Sequence, residues 1–376
     1  MPVYLDNAAT TKPCDEVVFA LNKCLTTIYG NPSSLHIMGL DAQREVLAAR
    51  RQIGNAIGAD YSSIFFTSGA TESNNLAIFG AVNANKRRGN KIVTTDIEHP
   101  SVHSPISHLE ECGYEVVRIR TVNGVIDEDA LINAVDNKTI LVSAMLINNE
   151  NGSIQPIDKI FRSLKRRYPA LITHCDAVQA FCKIPIKASS LCADLISVSA
   201  HKIHGVKGIG ALYIKKGVRI LPMFHGGGQE GDLRPGTESV PLIAAFGEAV
   251  RIGSMNINEN YAHVSELSSY AETQLQKLDD ISLNMFEGHS PYIMNFSVKG
   301  IRSEIMLHFL EEKGIYVSSG SACAKGKKSR VLEAFGIKDK QIDSAIRISF
   351  SKYNTIQDID KLISGIKDGQ GRLLRS

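Results

Sequence analysis

The chain has 376 residues, more than one typical hydrophobic core supports, so one large and one smaller domain are expected. Against 42 Lys and Arg stand 39 Asp and Glu, and this net charge of +3 gives no support to direct nucleic-acid binding or a membrane-surface role. The 7 cysteines are scattered, without a CxxC pair or a Cys/His cluster, which argues against a disulfide framework and against a metal site.

The chain opens on MPVYLDNAAT, which lacks the basic and apolar regions of a signal peptide. No apolar run of about 18 residues follows anywhere in the sequence. We therefore expect a cytoplasmic protein without a membrane span. Further along, apolar residues at helical spacing predict helices at 40–57, 71–82 and 156–167.

Short β-rich runs alternate with these helical patterns between residues 60 and 215, which is typical of βαβ units. The predicted strands are 64–67, 91–95, 139–146, 170–175, 194–199 and 210–215. The sequence thus predicts an α/β fold whose large domain, at 14–240, contains a mainly parallel sheet flanked by helices.

The pattern changes after about residue 240 to long helices with two strand candidates, 293–298 and 345–350. This change predicts a smaller α+β domain that comprises 241–376. The first segment, 1–13, is expected to cross back to it and to the cleft between the domains.

Two residues that follow predicted strands have the chemistry of a cofactor site. Lys202 stands in SAHKIHGVKGIG, and an amine shielded from water at a strand end can attack an aldehyde such as that of pyridoxal phosphate (PLP). Asp176 stands in THCDAVQA, where a buried carboxylate would keep the pyridine nitrogen of PLP protonated. Alone, Lys202 could equally be a solvated strand end and Asp176 a helix N-cap.

An anion site and two polar strand ends complete this pattern. In TSGATESNN, a helix starts near Ala70 and Thr71, and its first N–H groups could bind the cofactor phosphate. His99 in DIEHPSV could stack on the cofactor ring and, as a catalytic residue, handle protons near it, and Asn149 in NNENG could donate to the phenolic oxygen of the ring. Each residue by itself could also be an ordinary loop residue.

In this order, SGATESNN, DIEHPSV, NNENG, HCDAVQ, SAHKIHGVKGIGALY, HGGGQEGDLRPGTE and VSSGSACA closely resemble the cysteine desulfurases, PLP enzymes of fold type I. The resemblance implies that Lys202 holds the cofactor covalently, that Asp176 contacts its ring nitrogen and that His99 stacks on it. The other residues that it implies in cofactor binding are Asn149, Gln179, Ala70, Thr71, Ser199, His201 and, from the other subunit of a homodimer, Thr237.

The resemblance also implies a substrate site. Arg347 in IRISF would bind the carboxylate of L-cysteine, Asn7 in DNAATT would belong to the N-terminal wall of the site, and Asn149 would face the substrate. Sulfur would pass to Cys323 as a persulfide.

Cys323 lies in VSSGSACAKGKKSR, part of a loop expected at about 318–330. Small residues would make this loop mobile, and Lys325, Lys327, Lys328 and Arg330 would favour the thiolate. The segment after the cysteine is shorter and more basic than in many relatives, and it lacks their proline.

Two other functions remain open from the sequence. A selenocysteine lyase or another class-V aminotransferase-like enzyme would share the cofactor residues, but it would not need a cysteine in a basic loop. A non-enzymatic binding scaffold would need none of these residues. The predicted partner is a sulfur acceptor, either an iron–sulfur scaffold protein or a tRNA-thiolating enzyme.

Overall fold

The structure is a computed structural model that describes residues 2–319 and 328–374. Cys323 and most of its predicted loop therefore lie outside the described residues. Within them the strands are β1 Val3–Tyr4, β2 Ile64–Thr67, β3 Lys91–Thr95, β4 Glu115–Ile119, β5 Thr121–Val122, β6 Val125–Ile126, β7 Thr139–Met145, β8 Ile172–Asp176, β9 Leu195–Ser199, β10 Gly210–Ile214, β11 Ile281–Leu283, β12 Ile293–Val298, β13 Ile315–Tyr316 and β14 Ala345–Ser349.

The helices lie between and around these strands, and short 3₁₀ turns occur at Tyr61–Ser63, Ala200–Lys202 and Gln229–Asp232. The α-helices of the described residues are α1 Asp15–Thr26, α2 Ile37–Ala56, α3 Ala70–Asn85, α4 Pro100–Glu111, α5 Glu128–Ala134, α6 Ile157–Arg167, α7 Ala188–Leu191, α8 Val240–Met255, α9 Ile257–Leu275, α10 Ser303–Glu312, α11 Arg330–Ala334, α12 Asp339–Asp343 and α13 Ile356–Arg372.

A seven-stranded sheet in the order β2-β10-β9-β8-β7-β3-β4 forms the centre of the molecule. The run from β9 to β4 is parallel, whereas β10 is antiparallel to both β9 and β2. This mixed, mostly parallel sheet confirms the predicted fold class. Because parallel strands end at the same edge, the polar residues that follow β7, β8 and β9 are brought together there.

The central strands are buried on both faces, which explains why β7 and β9 read as nearly continuous apolar runs. Helices cover them, and α6 shows how the sequence directs this packing. Its Ile157, Ile160 and Leu164 are buried, while Lys165, Arg166 and Arg167 occupy the last turn, where cations favour the helix dipole.

A second hydrophobic core is built around the three-stranded sheet β11-β12-β14 and the helices α9, α10 and α13. Val3, Leu5 and Ala8 pack in this core, and β1 pairs in parallel with β13. By contrast, α8 packs against α1 and α2. Its first residue, Val240, belongs to the hydrophobic core that includes residues of the central sheet. The predicted domain boundaries stay a prediction. Among the described helices, none is long and apolar enough to cross a membrane.

Candidate active site

A cavity of about 710 Å³ lies at the carboxyl edge of the parallel strands and is closed on one side by residues of the N-terminal segment. Most of the residues predicted for the site line it, although they come from widely separated parts of the chain. These are Ala70, Thr71, His99, Asn149, Asp176, Gln179, Ser199, His201, Lys202 and Arg347.

Lys202 stands at the end of the 3₁₀ turn that follows β9, and its amine is inside this cavity. Lys202 Nζ donates to the carbonyl oxygens of Ala8 and Ala9, the latter at 2.7 Å. The N-terminal segment therefore supplies backbone acceptors that orient the amine, as the position of VYLDNAATT at the cleft had suggested.

Asp176 is the last residue of β8 and is buried. Its Oδ1 accepts the backbone N–H of Val178 at 3.0 Å, and its Oδ2 accepts Nδ2 of Asn74 at 2.9 Å. Both oxygens thus have donors, which satisfies a buried carboxylate and fixes its plane. Asn74, on α3, is a part of the site that the sequence analysis missed.

His99 is the N-cap of α4, and its Nδ1 accepts the backbone N–H of Ser101 at 3.1 Å. The Ser101 hydroxyl lies 2.8 Å from the same nitrogen. Burial lowers the pKa of His99, Asp176 opposes this shift and the charge of Lys202 adds to it. The imidazole is therefore neutral at ordinary pH, as a ring that stacks on a cofactor can be.

The amino end of α3 lines the cavity. Its N-cap, Gly69, has φ 153° and no side chain to cap the helix, so the first N–H groups at Ala70 and Thr71 remain directed to the cavity. Gly210 of β10 packs directly behind, because a Cβ at this position would come within 2.8 Å of the Gly69 backbone. A glycine at 210 is thus needed to hold this turn.

Ser199 and His201 also line the cavity. Burial lowers the pKa of His201 to about 3, with Lys202 and Lys207 contributing, so the imidazole is neutral. His201 Nδ1 lies 3.3 Å from the hydroxyl of Thr10. A neutral imidazole and a serine hydroxyl are suitable donors for a phosphate.

Gln179 is held by a buried lysine that the sequence analysis did not single out. Gln179 Nε2 donates to Ala8 at 3.0 Å, and its Oε1 accepts Lys183 Nζ at 3.0 Å. Burial lowers the pKa of Lys183 to about 7, and the charges of Lys202 and Arg347 act in the same direction. The orientation of the Gln179 amide is thereby fixed from behind the cavity.

Arg347, on β14, is buried and carries its guanidinium into the cavity. It donates to the carbonyl oxygen of Asn149 at 2.9 Å and forms an ion pair with Asp6 at 2.9 Å. Asp6 belongs to the same DNAATT segment as the predicted Asn7, and it is the residue of that segment that contacts Arg347 by its side chain.

Of the predicted residues that the structure describes, Asn7 and Thr237 do not line the cavity. Asn7 Nδ2 donates to the carbonyl oxygen of Ser349 at 2.8 Å and to Oδ1 of Asn354 at 3.2 Å. These bonds hold the N-terminal segment against the second core. Thr237 is exposed, and its predicted role requires a second subunit. Cys323 lies outside the described residues. The roles given to these residues stay predictions.

The basic residues that end the predicted loop have partners of their own. Lys328 pairs with Asp339 at 2.7 Å, and Arg330 donates to the backbone carbonyls of Asp96 and Glu98. Both residues still line the cavity. Their charges can therefore act on a thiol in the cavity while their positions are held by the rest of the protein.

The donor set fits PLP. The cavity offers an amine for its aldehyde, a buried carboxylate for its ring nitrogen, a neutral imidazole and a helix amino end for its phosphate. Within the part of the chain that the structure describes, Asn149 Oδ1 and Arg347 Nε are buried without a hydrogen-bond partner, although both residues line the cavity. Buried polar atoms of this kind are expected where a ligand binds.

Comparison with known proteins gives concordant matches. Residues 3–362 match the family model Aminotransferase class-V. The cysteine desulfurase IscS of Methanosarcina thermophila is 39% identical over 373 residues, which cover 97% of this chain and 91% of that protein.

Two solved structures are also similar. A NifS-like protein is 37% identical with a TM-score of 0.94, and the match covers 99% of this chain and 100% of that one. SspA in complex with cysteine is 30% identical with a TM-score of 0.81, and the match covers 94% of this chain and 99% of that one.

Proposed function

Because the chain belongs to the class-V aminotransferase family, and within it to the PLP-dependent cysteine desulfurases, we propose that it converts L-cysteine to L-alanine and holds the released sulfur as a persulfide on Cys323. The observation that carries the proposal is the single cavity in which Lys202, Asp176, His99 and Arg347 meet. The structural relative solved in complex with cysteine supports the same substrate for this chain.

The binding roles follow from the contacts in the cavity. Lys202 would attach PLP, Asp176 would hold its ring nitrogen, and Asn149 and Gln179 would bind on the side of its phenolic oxygen. The phosphate would lie against Ala70, Thr71, Ser199 and His201. When bound, PLP supplies an electron sink for the charge that develops at the substrate α-carbon.

The reacting groups of the chain then have distinct tasks. Arg347 binds the carboxylate of L-cysteine, which orients the α-proton toward the amine that removes it, Lys202 Nζ. The thiolate of Cys323 forms a bond to the substrate sulfur as the carbon–sulfur bond breaks, and the electron pair of that bond stays with the carbon. The remaining part of the substrate takes up protons and leaves as alanine, while the sulfur stays on the enzyme.

The test is to treat the purified enzyme with L-cysteine and measure alanine together with protein-bound sulfur, located by mass spectrometry after digestion. Cys323→Ala should retain PLP and lose the added sulfur, and alanine formation should fall by about 10²-fold because the nucleophile of the sulfur step is gone. Cys112→Ala is the matched control, since Cys112 is an exposed free thiol. Full turnover by Cys323→Ala would contradict the proposal, and a preference for selenocysteine or a keto acid would favour the related enzymes.

The wider setting belongs to the same proposal. The enzyme acts in the cytosol, where the free thiols that the structure describes are stable, and it passes its sulfur to an iron–sulfur scaffold protein or to a tRNA-thiolating enzyme. Persulfide transfer from the cysteine-loaded enzyme to each purified acceptor distinguishes the two.

A further inference from the structure

Asn74 is a fully buried amide on α3 that contacts two parts of the site at once. Its Nδ2 donates to Asp176 Oδ2 at 2.9 Å and to Ser101 Oγ at 2.8 Å. An amide nitrogen carries two hydrogens, so these two bonds use both of them. The Asp176 carboxylate and the Ser101 hydroxyl are thus joined through one side chain.

The bond from Asn74 decides what the Ser101 hydroxyl can do. Because Ser101 Oγ accepts from Asn74, its own hydrogen is left to donate, and His99 Nδ1 lies 2.8 Å away. The same nitrogen accepts the backbone N–H of Ser101 at 3.1 Å. Two donors therefore point at Nδ1, and the proton of the neutral imidazole must be on Nε2.

The orientation of the Asn74 amide is in turn set by Asp176. In the reversed orientation, Asn74 Oδ1 would face a carboxylate oxygen at hydrogen-bond distance, which is repulsive. In the orientation present, Oδ1 is buried and has no hydrogen-bond partner among the described residues. An unpaired buried oxygen is costly, so the two bonds made by Nδ2 must outweigh this cost.

We propose that Asn74 is a positioning residue that connects the Asp176 carboxylate to His99 through Ser101 and holds the Ser101 hydroxyl as a second donor to His99 Nδ1, which disfavours protonation of that nitrogen. The inference deepens the proposed function and rests on it for the use of His99 in turnover. As a consequence, His99 presents an N–H donor at Nε2, and it can take a second proton on Nδ1 only if the Ser101 hydroxyl turns away. Asp176, Lys202 and His201 are the titratable groups that interact with this imidazole.

The first experiment uses cofactor-free protein, so that it does not depend on turnover. The ¹⁵N shifts of labelled histidine, assigned with His99→Gln, report which ring nitrogen carries the proton and how this changes with pH. The wild type should show the Nε2–H form. Asn74→Leu should keep this form, because the backbone N–H of Ser101 still donates to Nδ1. It should raise the pKa of His99 by about one unit, which corresponds to the loss of the hydrogen bond from the Ser101 hydroxyl.

Asn75→Leu is the matched control, because Asn75 is on the same helix but is only half-buried, and its amide donates to the Thr71 carbonyl at 2.8 Å. It should leave the His99 shifts unchanged. If Asn74→Leu does not fold, Asn74→Ala removes the same donor without adding a branched side chain, and it should change His99 in the same direction. An Nδ1–H form in the wild type, or an unchanged His99 in the folded Asn74 variant, would overturn the proposal.

The second experiment uses the PLP-loaded enzyme with L-cysteine. Asn74→Leu should lower kcat by about 10-fold and change KM by less than about 3-fold, because Arg347, which binds the carboxylate, is untouched. A purely structural role would lower the fraction of active enzyme without moving the pH profile of kcat. If the enzyme did not desulfurate cysteine at all, the proposed function would fail while the ¹⁵N result would still decide the role of Asn74.

Discussion

Two lysines of this protein, Lys202 and Lys183, differ in their chemistry because their surroundings differ. Lys202 and Lys183 are both near Gln179 and Ala8, yet Lys202 opens into the cavity and Lys183 is buried behind it. Burial lowers the pKa of Lys183 to about 7, so this amine changes its protonation state near neutral pH. The two lysines therefore call for separate predictions.

Lys202→Ala should abolish the absorbance band of the lysine-bound cofactor and all turnover, because the amine that attaches the PLP aldehyde is gone. Absorbance spectra of the purified variant, before and after addition of L-cysteine, give the measurement. Lys207→Ala is the control, since Lys207 lines the same cavity and should leave the spectrum in place. A native spectrum in Lys202→Ala would mean that another amine holds the cofactor.

Lys183 should make the cofactor-free protein more stable as the pH rises from about 7 to about 10. Its pKa is lowered from 10.5 to about 7 in the folded protein, so in this range the unfolded chain binds the additional proton and rising pH favours the folded state. Below about 7 the folded protein must carry the buried charge. Denaturant unfolding of Lys183→Met between pH 7 and 9 should show a smaller rise, by up to about 1.4 kcal/mol per pH unit.

The exposed Lys187 provides the matched control for this prediction, and Lys187→Met should keep the pH dependence of the wild type. An unchanged slope in Lys183→Met would show that Lys183 titrates at its ordinary value. The burial of Lys183 would then not govern its charge.

At the scale of elements, the amino end of α3 shows how a turn is made into a binding site. Gly69 adopts φ 153°, and β10 approaches it so closely that Gly210 has no room for a side chain. The turn is held from behind, and the uncapped N–H groups of the helix are held toward the cavity. The geometry of this turn is therefore set jointly by a helix and by a strand that is distant in sequence.

Gly210→Ala should weaken PLP binding, because the added Cβ would lie 2.8 Å from Gly69 and from the Val198 carbonyl and must displace the turn. Overpacking of this kind costs about 1–3 kcal/mol, which is roughly a 10-fold or greater loss of cofactor affinity if the turn absorbs it. Titration of cofactor-free protein with PLP measures this loss. Gly371→Ala, where a Cβ meets nothing within 4 Å, should bind PLP like the wild type.

Elements differ in how far the sequence revealed them. The buried strands β2, β3 and β12 have the predicted bounds, because apolar runs between turns are distinctive. The edge strand β4, EVVRI, is partly exposed and mixes charged with apolar residues, and α4 contains Pro105, so neither was predicted. The α/β fold class and the family read from the motifs are confirmed.

The residues of the site also differ in whether the sequence alone could reveal them. Lys202 and Asp176 could be found because each directly follows a strand within its own motif. Asn74 and Asp6 could not, since their partners Asp176 and Arg347 are 102 and 341 residues away in the chain. No local pattern marks a residue whose role depends on such a contact.

At the scale of the whole molecule, several large apolar side chains are exposed. Leu35 is 95% exposed, and Tyr29, Ile37 and Phe224 are also exposed. A shallow cavity joins the loop at Pro32 to the segment from Gly228 to Glu238. Exposed apolar side chains of this kind could be covered in a homodimer, which stays a prediction.

Ion pairs hold the segment that carries Thr237 to the rest of its own chain. Arg50 pairs with the buried Glu230 at 2.6 Å, and Glu230 also accepts the backbone N–H of Phe66 at 2.9 Å. Arg234 pairs with Glu72 of α3 at 3.0 Å. Thr237 itself is exposed and does not line the cavity of its own chain.

Mixed dimers can show whether Thr237 acts on the other subunit. Thr237→Val should weaken PLP binding, and Lys202→Ala should be inactive. In a mixed dimer of one chain of each kind, the chain with an intact Lys202 would receive an intact Thr237 from its partner. One complete site should therefore form, and the separately tagged and purified mixed dimer should show about half of the wild-type activity at a PLP concentration that does not saturate Thr237→Val. If Thr237 acted within its own chain, no complete site could form, and the mixed dimer would be no more active than the average of its two parents.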